Sequence, residues 1–217
     1  MRFEKTEVWG FEHAIRGMRN PMNSHNKSDT TELAIGPNDL GLMQKLIQAG
    51  PEHRKFMRQI FVSVDITAPL YWWKEFDTYK VGTVANSTST MHKLASTSIT
   101  VDCFEMDDFK NLEDLEYPFA HVWEHTIKNC EILRQKYNET NDKRYWKELI
   151  RLLPESWLQT RTVTMNYENV LSMVNQRKAH KLNEWSVSFI NWVRTLPYAN
   201  ELIFGGYYGN ERLDNRS

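Results

Sequence analysis

Residues 60–94 read I-F-V-S-V-D-I-T-A-P-L-Y-W-W-K-E-F-D-T-Y-K-V-G-T-V-A-N-S-T-S-T-M-H-K-L, a strand pattern followed by a helix pattern and a polar segment. Ile and Val occupy every second position from 60 to 66, a period that is typical of a half-buried strand. Pro69 then begins a helix that carries four aromatic residues. The helix leads into a segment rich in Ser and Thr. That segment forms either an ordinary surface turn or a set of hydroxyls and backbone N–H groups that suit a phosphate or a polar ring.

Helices and strands alternate irregularly along the rest of the chain. Apolar residues at helical spacing predict five further helices, at 38–49, 118–137, 142–154, 166–178 and 184–196. Period-two patterns predict two further strands, at 99–103 and 158–165. Because a steady βαβ alternation is missing, the pattern indicates an α+β fold with a mainly antiparallel sheet packed with helices.

Length and loop composition indicate one domain. The chain has 217 residues, enough for a sizeable hydrophobic core, and no linker, repeat or low-complexity tract divides it. We therefore expect a single domain over 1–217. Polar residues crowd 19–31, which predicts a flexible loop, and we expect 205–217 to form a mobile tail.

Charge and hydropathy exclude several classes of partner. The chain has 27 Lys and Arg against 28 Asp and Glu, a net charge of −1, whereas a nucleic-acid binder usually carries a basic excess. No apolar run is long enough to span a membrane, and the N-terminus lacks the apolar core of a signal peptide. The two cysteines, Cys103 and Cys130, form no disulfide framework, and neither is predicted to be a nucleophile. We expect a cytoplasmic protein that binds neither nucleic acid nor a membrane.

A histidine pair lies within the predicted helix at 118–137. Residues 121–125 read H-V-W-E-H, the H-x-x-E-H pattern of one class of zinc hydrolases. On a helical wheel, His121 and His125 lie opposite the apolar face, beside Glu124 and Lys128. A catalytic zinc needs a sheltered site and a third protein ligand. We therefore expect an exposed pair and no metal, and a zinc hydrolase is the alternative.

Arg177 is an unusual residue on its predicted helix, because it shares a face with Val170 and Val174. A guanidinium on an apolar stripe reaches water, pairs with a carboxylate, or meets an anionic ligand. The pattern alone leaves these three explanations open. Arg151 and Arg161 are candidates to converge with Arg177 on one anion.

The segment 68–94 resembles the flavin-dependent thymidylate synthases, the ThyX class. In that family a strand ends in Ala-Pro, and a helix then leads to R-H-R, which is followed seven residues later by Ser. This chain has Ala68-Pro69 after the predicted strand, Thr78-Tyr79-Lys80 at the R-H-R positions, and Thr88 at the Ser position. Further matches are His53 upstream and, downstream, L-I-R-L-L-P at 149–154, Asn166, and N-Q-R at 175–177. The resemblance thus spans about 38–196 in order and spacing.

This resemblance implies FAD as the cofactor, NADPH as the hydride donor, and methylenetetrahydrofolate as the source of the carbon placed on C5 of dUMP. The residues that it assigns to the flavin are His53, Thr78, Tyr79, Lys80, Asn166 and Arg177. Those that it assigns to the pyrimidine nucleotide are Glu75, Asn86, Thr88, Arg151 and Arg177, with Thr88 as the catalytic residue that orients the pyrimidine. It also implies reductive methylation of dUMP to dTMP without an enzyme cysteine, in a homotetramer whose sites lie at subunit interfaces.

Two further alternatives keep the fold and change the function, because the R-H-R positions hold different residues here. The first is a protein that modifies another pyrimidine nucleotide, or only binds a nucleotide or a flavin. The second is a non-enzymatic interaction protein that retains the scaffold alone.

Overall fold

The computed structural model describes residues 1–89, 94–106 and 119–205. They form two compact units. The first unit contains Met1–Arg2, Ile66–Thr78 and the described part of Asn86–Thr162, and the second contains the other described residues. The single domain expected over 1–217 stays a prediction, and residues 206–217 of the expected tail lie outside the described residues.

The described strands are β1 Arg2–Trp9, β2 Phe61–Pro69, β3 Val84–Ser87 and β4 Leu158–Asn166. They form an antiparallel sheet in the order β1-β2-β4-β3. The described α-helices are α1 Phe11–Arg19, α2 Pro37–Gln48, α3 Leu70–Phe76, α4 Phe119–Thr140, α5 Lys143–Leu152, α6 Tyr167–Arg177 and α7 Ile190–Arg194. This mixture confirms the predicted α+β class. None of these helices is long and apolar enough to cross a membrane.

Local sequence signals place several of these elements correctly. Ile60, Val62, Val64 and Ile66 are all buried, as the period of two predicts. Asp142 caps α5 by accepting a hydrogen bond from the Arg144 amide, and Asn166 caps α6 in a reciprocal capping box with Asn169. The predicted helix start at Pro118 lies outside the described residues, and α4 is described from position 119.

Two local predictions were wrong, and one strand was missed. The segment predicted as a strand at 99–103 contains a single 3-10 turn, Val101–Cys103, because the Ile99 amide donates to the Glu131 carboxylate instead of a strand partner. The Ser- and Thr-rich segment after α3 contains β3, which was predicted as a loop. β1 was missed because most of its side chains are exposed, so its sequence lacks an apolar alternation.

Each unit has its own apolar interior. In the first unit, α4 and α5 pack with the segment 94–106 around Leu94, Ile99, Phe104, Cys130 and Leu149. In the second unit, the interior contains fully buried residues that include Met43, Met57, Val163, Tyr167, Met173, Trp185 and Phe189. These large side chains fix α2 and α6, and α6 carries Arg177 and begins directly after Asn166, two of the predicted site residues.

A buried ion pair organises the segment 19–31, for which we expected flexibility. Arg19 Nε donates to Asp39 Oδ1 at 2.6 Å, and the two residues are 3% and 0% exposed. The guanidinium also donates to the Ser24 and Lys27 carbonyls, both at 3.1 Å. All three nitrogens of the Arg19 guanidinium therefore donate hydrogen bonds. Through them this side chain links two turns of the segment to Asp39 on α2. Flexibility of 19–31 stays a prediction.

The other oxygen of Asp39 receives hydrogen bonds from the same segment. Ser28 Oγ, the amides of Asp29 and Thr30, and Thr30 Oγ1 donate to Oδ2 at 2.7–3.1 Å. Burial alone would raise the pKa of Asp39, but the hydrogen bonds from Thr30, Ser28 and Arg19 outweigh burial and lower this pKa to about 2. The carboxylate therefore stays charged across the ordinary pH range.

We expect acid to destabilise both units. In the first unit, the hydrogen bond from Arg134 lowers the pKa of Glu131 to about 2. A carboxylate whose pKa is lowered by folding contributes stability above its unfolded pKa of about 4, and loses that contribution as the pH falls through the folded value. The free energy of unfolding should therefore fall by about 2–3 kcal/mol for each of Asp39 and Glu131 between about pH 5 and pH 2. Denaturant titrations at a series of pH values measure this, and Glu131→Gln should flatten the acid limb. An unchanged limb in that variant would contradict the assignment.

Candidate functional site

Arg177 ends α6 in the second unit, and aromatic rings hold its guanidinium. Its Nε donates to the Tyr79 hydroxyl at 2.9 Å, and its Cζ lies 4.9 Å from the Trp185 ring centroid and 5.5 Å from that of Tyr79. The Tyr79 hydroxyl in turn donates to Gln176 Oε1 at 2.9 Å. These contacts fix the plane of a charged group that has further donors. Arg177 is half-buried, in agreement with the inward face predicted for it.

Asn166 lies at the start of α6, and its two amide atoms are used unequally. Its Oδ1 accepts the Asn169 amide at 3.0 Å, which completes the cap. Its Nδ2 has no hydrogen-bond acceptor among the described residues, although Asn166 is only 8% exposed. The residue is buried as a whole, but this nitrogen is not among the fully buried atoms, so a bound acceptor can reach it.

Gly82 lies against this amide. A Cβ atom at this position would lie 3.0 Å from Asn166 Nδ2 and 2.8 Å from Asn169 Oδ1, and the φ angle of +78° is in the left-handed region. Asn169 Nδ2 also donates to the Val81 carbonyl at 2.7 Å, which holds this loop onto α6. Because Gly82 has no side chain, the space in front of Asn166 Nδ2 stays open.

His53 and Lys80, also in the second unit, have exposed side chains. His53 lines a cleft of about 720 Å³ together with Met18, Leu42, Phe56 and Gln59. A cleft of this size with mixed apolar and polar walls lies in the range of small-molecule sites, about 300–1,000 Å³. His53, the predicted flavin contact, therefore lies on a concave surface.

Thr88 lies in the first unit, directly after β3, and its polar atoms bond to β4. Its amide and its Oγ1 both donate to the Thr160 carbonyl, at 2.9 and 3.1 Å. Its own carbonyl accepts Gln159 Nε2 at 3.0 Å. Thr88 is nevertheless exposed, so its hydroxyl lone pairs reach the surface.

Gln159 and its neighbour Arg161 support this position. Arg161 Nε donates to Gln159 Oε1 at 3.0 Å and Nη1 donates to Asp77 Oδ1 at 2.6 Å, while the guanidinium lies 4.2 Å from the Trp73 ring centroid. The sequence singled out Arg161 only as a candidate to meet Arg177, and missed Gln159. One signal was available in the sequence. Gln159 and Arg161 are polar, but they share the alternating positions of their strand with Val163 and Met165, which are buried.

The remaining predicted residues lie in the first unit with other contacts. Thr78 follows α3 and donates its hydroxyl to the Glu75 carbonyl at 2.7 Å. Asn86 lies in β3 with an exposed side chain. Arg151 is exposed on α5 and donates to Glu148 at 3.1 Å, an i,i+3 surface pair. None of these contacts tests a role in ligand binding, so those roles stay predictions.

The histidine pair on α4 is exposed, as predicted. His121 has 68% of its side chain exposed and lies 3.6 Å from Glu124, and His125 is also exposed. Within the described ranges, no group of three or more His, Cys, Asp or Glu is arranged to hold a metal ion. Exposure on a solvated helix face agrees with the wheel argument.

Replacing both His121 and His125 with Ala should change the free energy of unfolding by about 0.5 kcal/mol or less, because exposed side chains contribute little. Nucleotide binding should be unaffected. Denaturant unfolding and metal analysis of the purified protein measure these effects. Stoichiometric zinc that disappears in the double variant would contradict this prediction.

Neither cysteine has the surroundings of a nucleophile. Burial raises the pKa of the Cys130 thiol to about 11, so that it stays protonated. Cys103 is half-buried and its Sγ lies 3.6 Å from the Ser98 carbonyl.

Comparison with known proteins identifies the fold. No family model and no curated protein matches this chain. A crystal structure of the flavin-dependent thymidylate synthase ThyX from Helicobacter pylori, complexed with FAD and dUMP, matches 94% of this chain and 98% of that chain, with a TM-score of 0.69 and 16% identity. A second structure of Helicobacter pylori ThyX with FAD and dUMP matches 95% and 99%, with a TM-score of 0.70 and 15% identity. The chain has the fold of the flavin-dependent thymidylate synthases.

The flavin-dependent thymidylate synthase fold confirms the structural part of the resemblance found at 68–94. At 15–16% identity the likeness concerns the fold alone, and the site must be judged on this chain's own residues.

Proposed function

We propose that this chain binds FAD and a pyrimidine nucleotide and methylates dUMP reductively to dTMP, with methylenetetrahydrofolate as the carbon source and NADPH as the reductant. The observation that carries the proposal is the Asn166 Nδ2 donor, which lies beside Gly82 and has no acceptor among the described residues. The two structures of Helicobacter pylori ThyX, which have the same fold, are complexed with FAD and dUMP, and this supports the choice of ligands.

Asn166 and Gly82 fit a flat ligand that carries carbonyl acceptors. A ring carbonyl supplies the acceptor that Nδ2 lacks among the described residues, and the absence of a Cβ at Gly82 lets a ring approach the backbone. A flavin has such carbonyls on its pyrimidine ring. We assign Asn166 to the flavin, together with His53, Thr78, Tyr79 and Lys80.

Arg177 fits a phosphate. Its guanidinium is held flat by Tyr79 and Trp185, and planar guanidinium groups bind phosphate through two parallel hydrogen bonds. We assign Arg177 to the nucleotide phosphate with a secondary contact to the flavin. Arg151, Glu75, Asn86 and Thr88 complete the proposed nucleotide contacts, with Thr88 orienting the pyrimidine.

The flavin would supply the hydride chemistry, and the protein's part is to bind and orient. The thiols of Cys103 and Cys130 are unsuited to attack on the pyrimidine. This agrees with a reaction in which no enzyme cysteine forms a covalent bond to the substrate.

The second candidate function is binding of flavin or nucleotide without methyl transfer. It is favoured by the residues at the R-H-R positions, Thr78-Tyr79-Lys80, which keep one cation and no imidazole. The Tyr79 hydroxyl is also bonded to Arg177 and Gln176.

The test of flavin binding uses Asn166→Asp. This change keeps the oxygen that caps α6 and replaces the Nδ2 donor with an oxygen, so stability should hold while FAD affinity falls about tenfold or more. The control is Asp142→Asn, the reverse exchange at the cap of α5. FAD titrations followed by visible absorbance measure both variants. Equal FAD affinity in Asn166→Asp and the parent would refute the assignment.

The test of the reaction is a dUMP-dependent tritium-release assay with FAD, NADPH and methylenetetrahydrofolate. Release supports methylation of dUMP. FAD and dUMP binding without release supports the second candidate function.

We also propose a homotetramer with its sites at subunit interfaces, as the resemblance implies. Large apolar side chains are exposed on the single chain, among them Met22, Leu33 and Val81, with 83%, 97% and 88% exposed. Light scattering at micromolar concentration should give the mass of four chains. A monomer that binds FAD would contradict the proposal.

A further inference from the structure

We infer that Gln159 is a positioning residue that fixes Thr88 for ligand binding, and that Arg161 and Asp77 hold Gln159 in place. This inference rests on the proposed function, because Thr88 is the residue assigned to orient the pyrimidine. All four residues belong to the first unit.

Gln159 is the centre of the arrangement and is only 8% exposed. Its Nε2 donates to the Thr88 carbonyl, its Oε1 accepts Arg161 Nε, and its own carbonyl accepts Trp73 Nε1, each at 3.0 Å. With both side-chain ends and the backbone bonded, the amide has one orientation. Its donor therefore faces Thr88.

Arg161 sets which end of the Gln159 amide faces Thr88. The Arg161 side chain is 16% exposed, lies over the Trp73 ring and donates to Asp77. Because a guanidinium can only donate, it must face the oxygen of the amide and not the nitrogen. Asp77 compensates the charge of this enclosed cation.

These contacts fix the orientation of the Thr88 hydroxyl. Its amide and its Oγ1 both donate to the Thr160 carbonyl, and its carbonyl is occupied by Gln159. Oγ1 is then the atom of Thr88 whose lone pairs can accept a hydrogen bond from a ligand. A hydroxyl held in this way recognises a donor, such as the ring N–H of a uracil base.

The decisive variant is Gln159→Glu. It keeps an acceptor for Arg161 and removes the donor to the Thr88 carbonyl, so Thr88 should detach from β4 while the unit stays folded. Hydrogen exchange at the Thr88 amide, measured without ligand, should accelerate about tenfold or more. The dissociation constant for dUMP should rise about three- to tenfold. Glu139→Gln, the reverse exchange at an exposed position of α4, is the control and should change neither value.

A double variant tests whether Gln159 acts through Thr88. Thr88→Val should itself weaken dUMP binding, and adding Gln159→Glu to it should cause no further loss, because coupled residues are not additive. An additive loss would overturn the inference. If Gln159→Glu fails to fold, Arg161→Lys keeps the charge but loses the fixed fork of donors, and it should accelerate exchange at Thr88 in the same way.

The outcomes separate this inference from the proposed function. Unchanged exchange at Thr88 in a folded Gln159→Glu variant overturns the inference, even if the parent binds dUMP. Faster exchange in a chain whose parent does not bind dUMP supports the positioning role and refutes the proposed function.

Discussion

Replacing Arg177 with Ala is expected to weaken the binding of dUMP about ten- to a hundredfold, the loss typical of a charge-assisted contact. The guanidinium is held between Tyr79 and Trp185, so a phosphate meets a charge whose plane is already fixed. Deoxyuridine, which lacks the phosphate, should bind the variant nearly as well as the parent. Calorimetric titrations with the two ligands measure the difference.

The control for this variant is Arg194→Ala. The Arg194 guanidinium also lies over an aromatic ring, 4.5 Å from the Phe204 centroid, in the same unit. Its loss should leave dUMP binding unchanged. If Arg177→Ala instead lowers the free energy of unfolding strongly and affects dUMP and deoxyuridine equally, Arg177 is structural and the phosphate assignment is wrong.

Replacing Asp39 with Ala is expected to lower the free energy of unfolding by about 3–5 kcal/mol, because the change leaves the buried Arg19 without its carboxylate. This is a large share of a total stability of about 5–15 kcal/mol. The donors of Ser28 and Thr30 also lose their acceptor. Denaturant unfolding at neutral pH measures the loss.

Asp142→Ala is the matched control. Like Asp39, Asp142 lies near the start of a helix and pairs with an arginine, but the side chain of its partner, Arg144, is 89% exposed. It should cost much less than Asp39→Ala, because it removes only an exposed helix cap and a solvent-screened ion pair. Replacing Arg19 and Asp39 together by apolar residues should cost less than Asp39→Ala, because no unpaired charge remains. Equal losses in the Asp39 and Asp142 variants would contradict the role of the ion pair.

The parts of the fold that short-range chemistry controls are those that the sequence predicted. The alternation from 60 to 66 and the caps at Asp142 and Asn166 depend on residues within a few positions of each other, and the structure confirms them. The predicted strand at 99–103 failed because its Ile99 amide bonds to Glu131, 32 positions away. A three-position apolar pattern carries no information about such a partner.

The candidate site shows the same division. The inward face of Arg177 follows from Val170 and Val174 on its own helix, but its Tyr79 partner is 98 positions away. The resemblance named Tyr79 as a flavin residue and gave no hint of this contact. Gln159 was missed because its importance comes from Thr88, 71 positions away, and no spacing rule joins the two.

The tie between Arg19 and the Lys27 carbonyl also bears on proteolysis. Trypsin cleaves after lysine, and it must draw an exposed segment into an extended conformation before it can cut. Lys27 is exposed, yet the carbonyl of the bond that trypsin would cut is bonded to Arg19, which is itself anchored by Asp39. Cutting there requires the turn to open first, so the rate of cleavage after Lys27 would report how often this turn detaches from Arg19 in the folded protein.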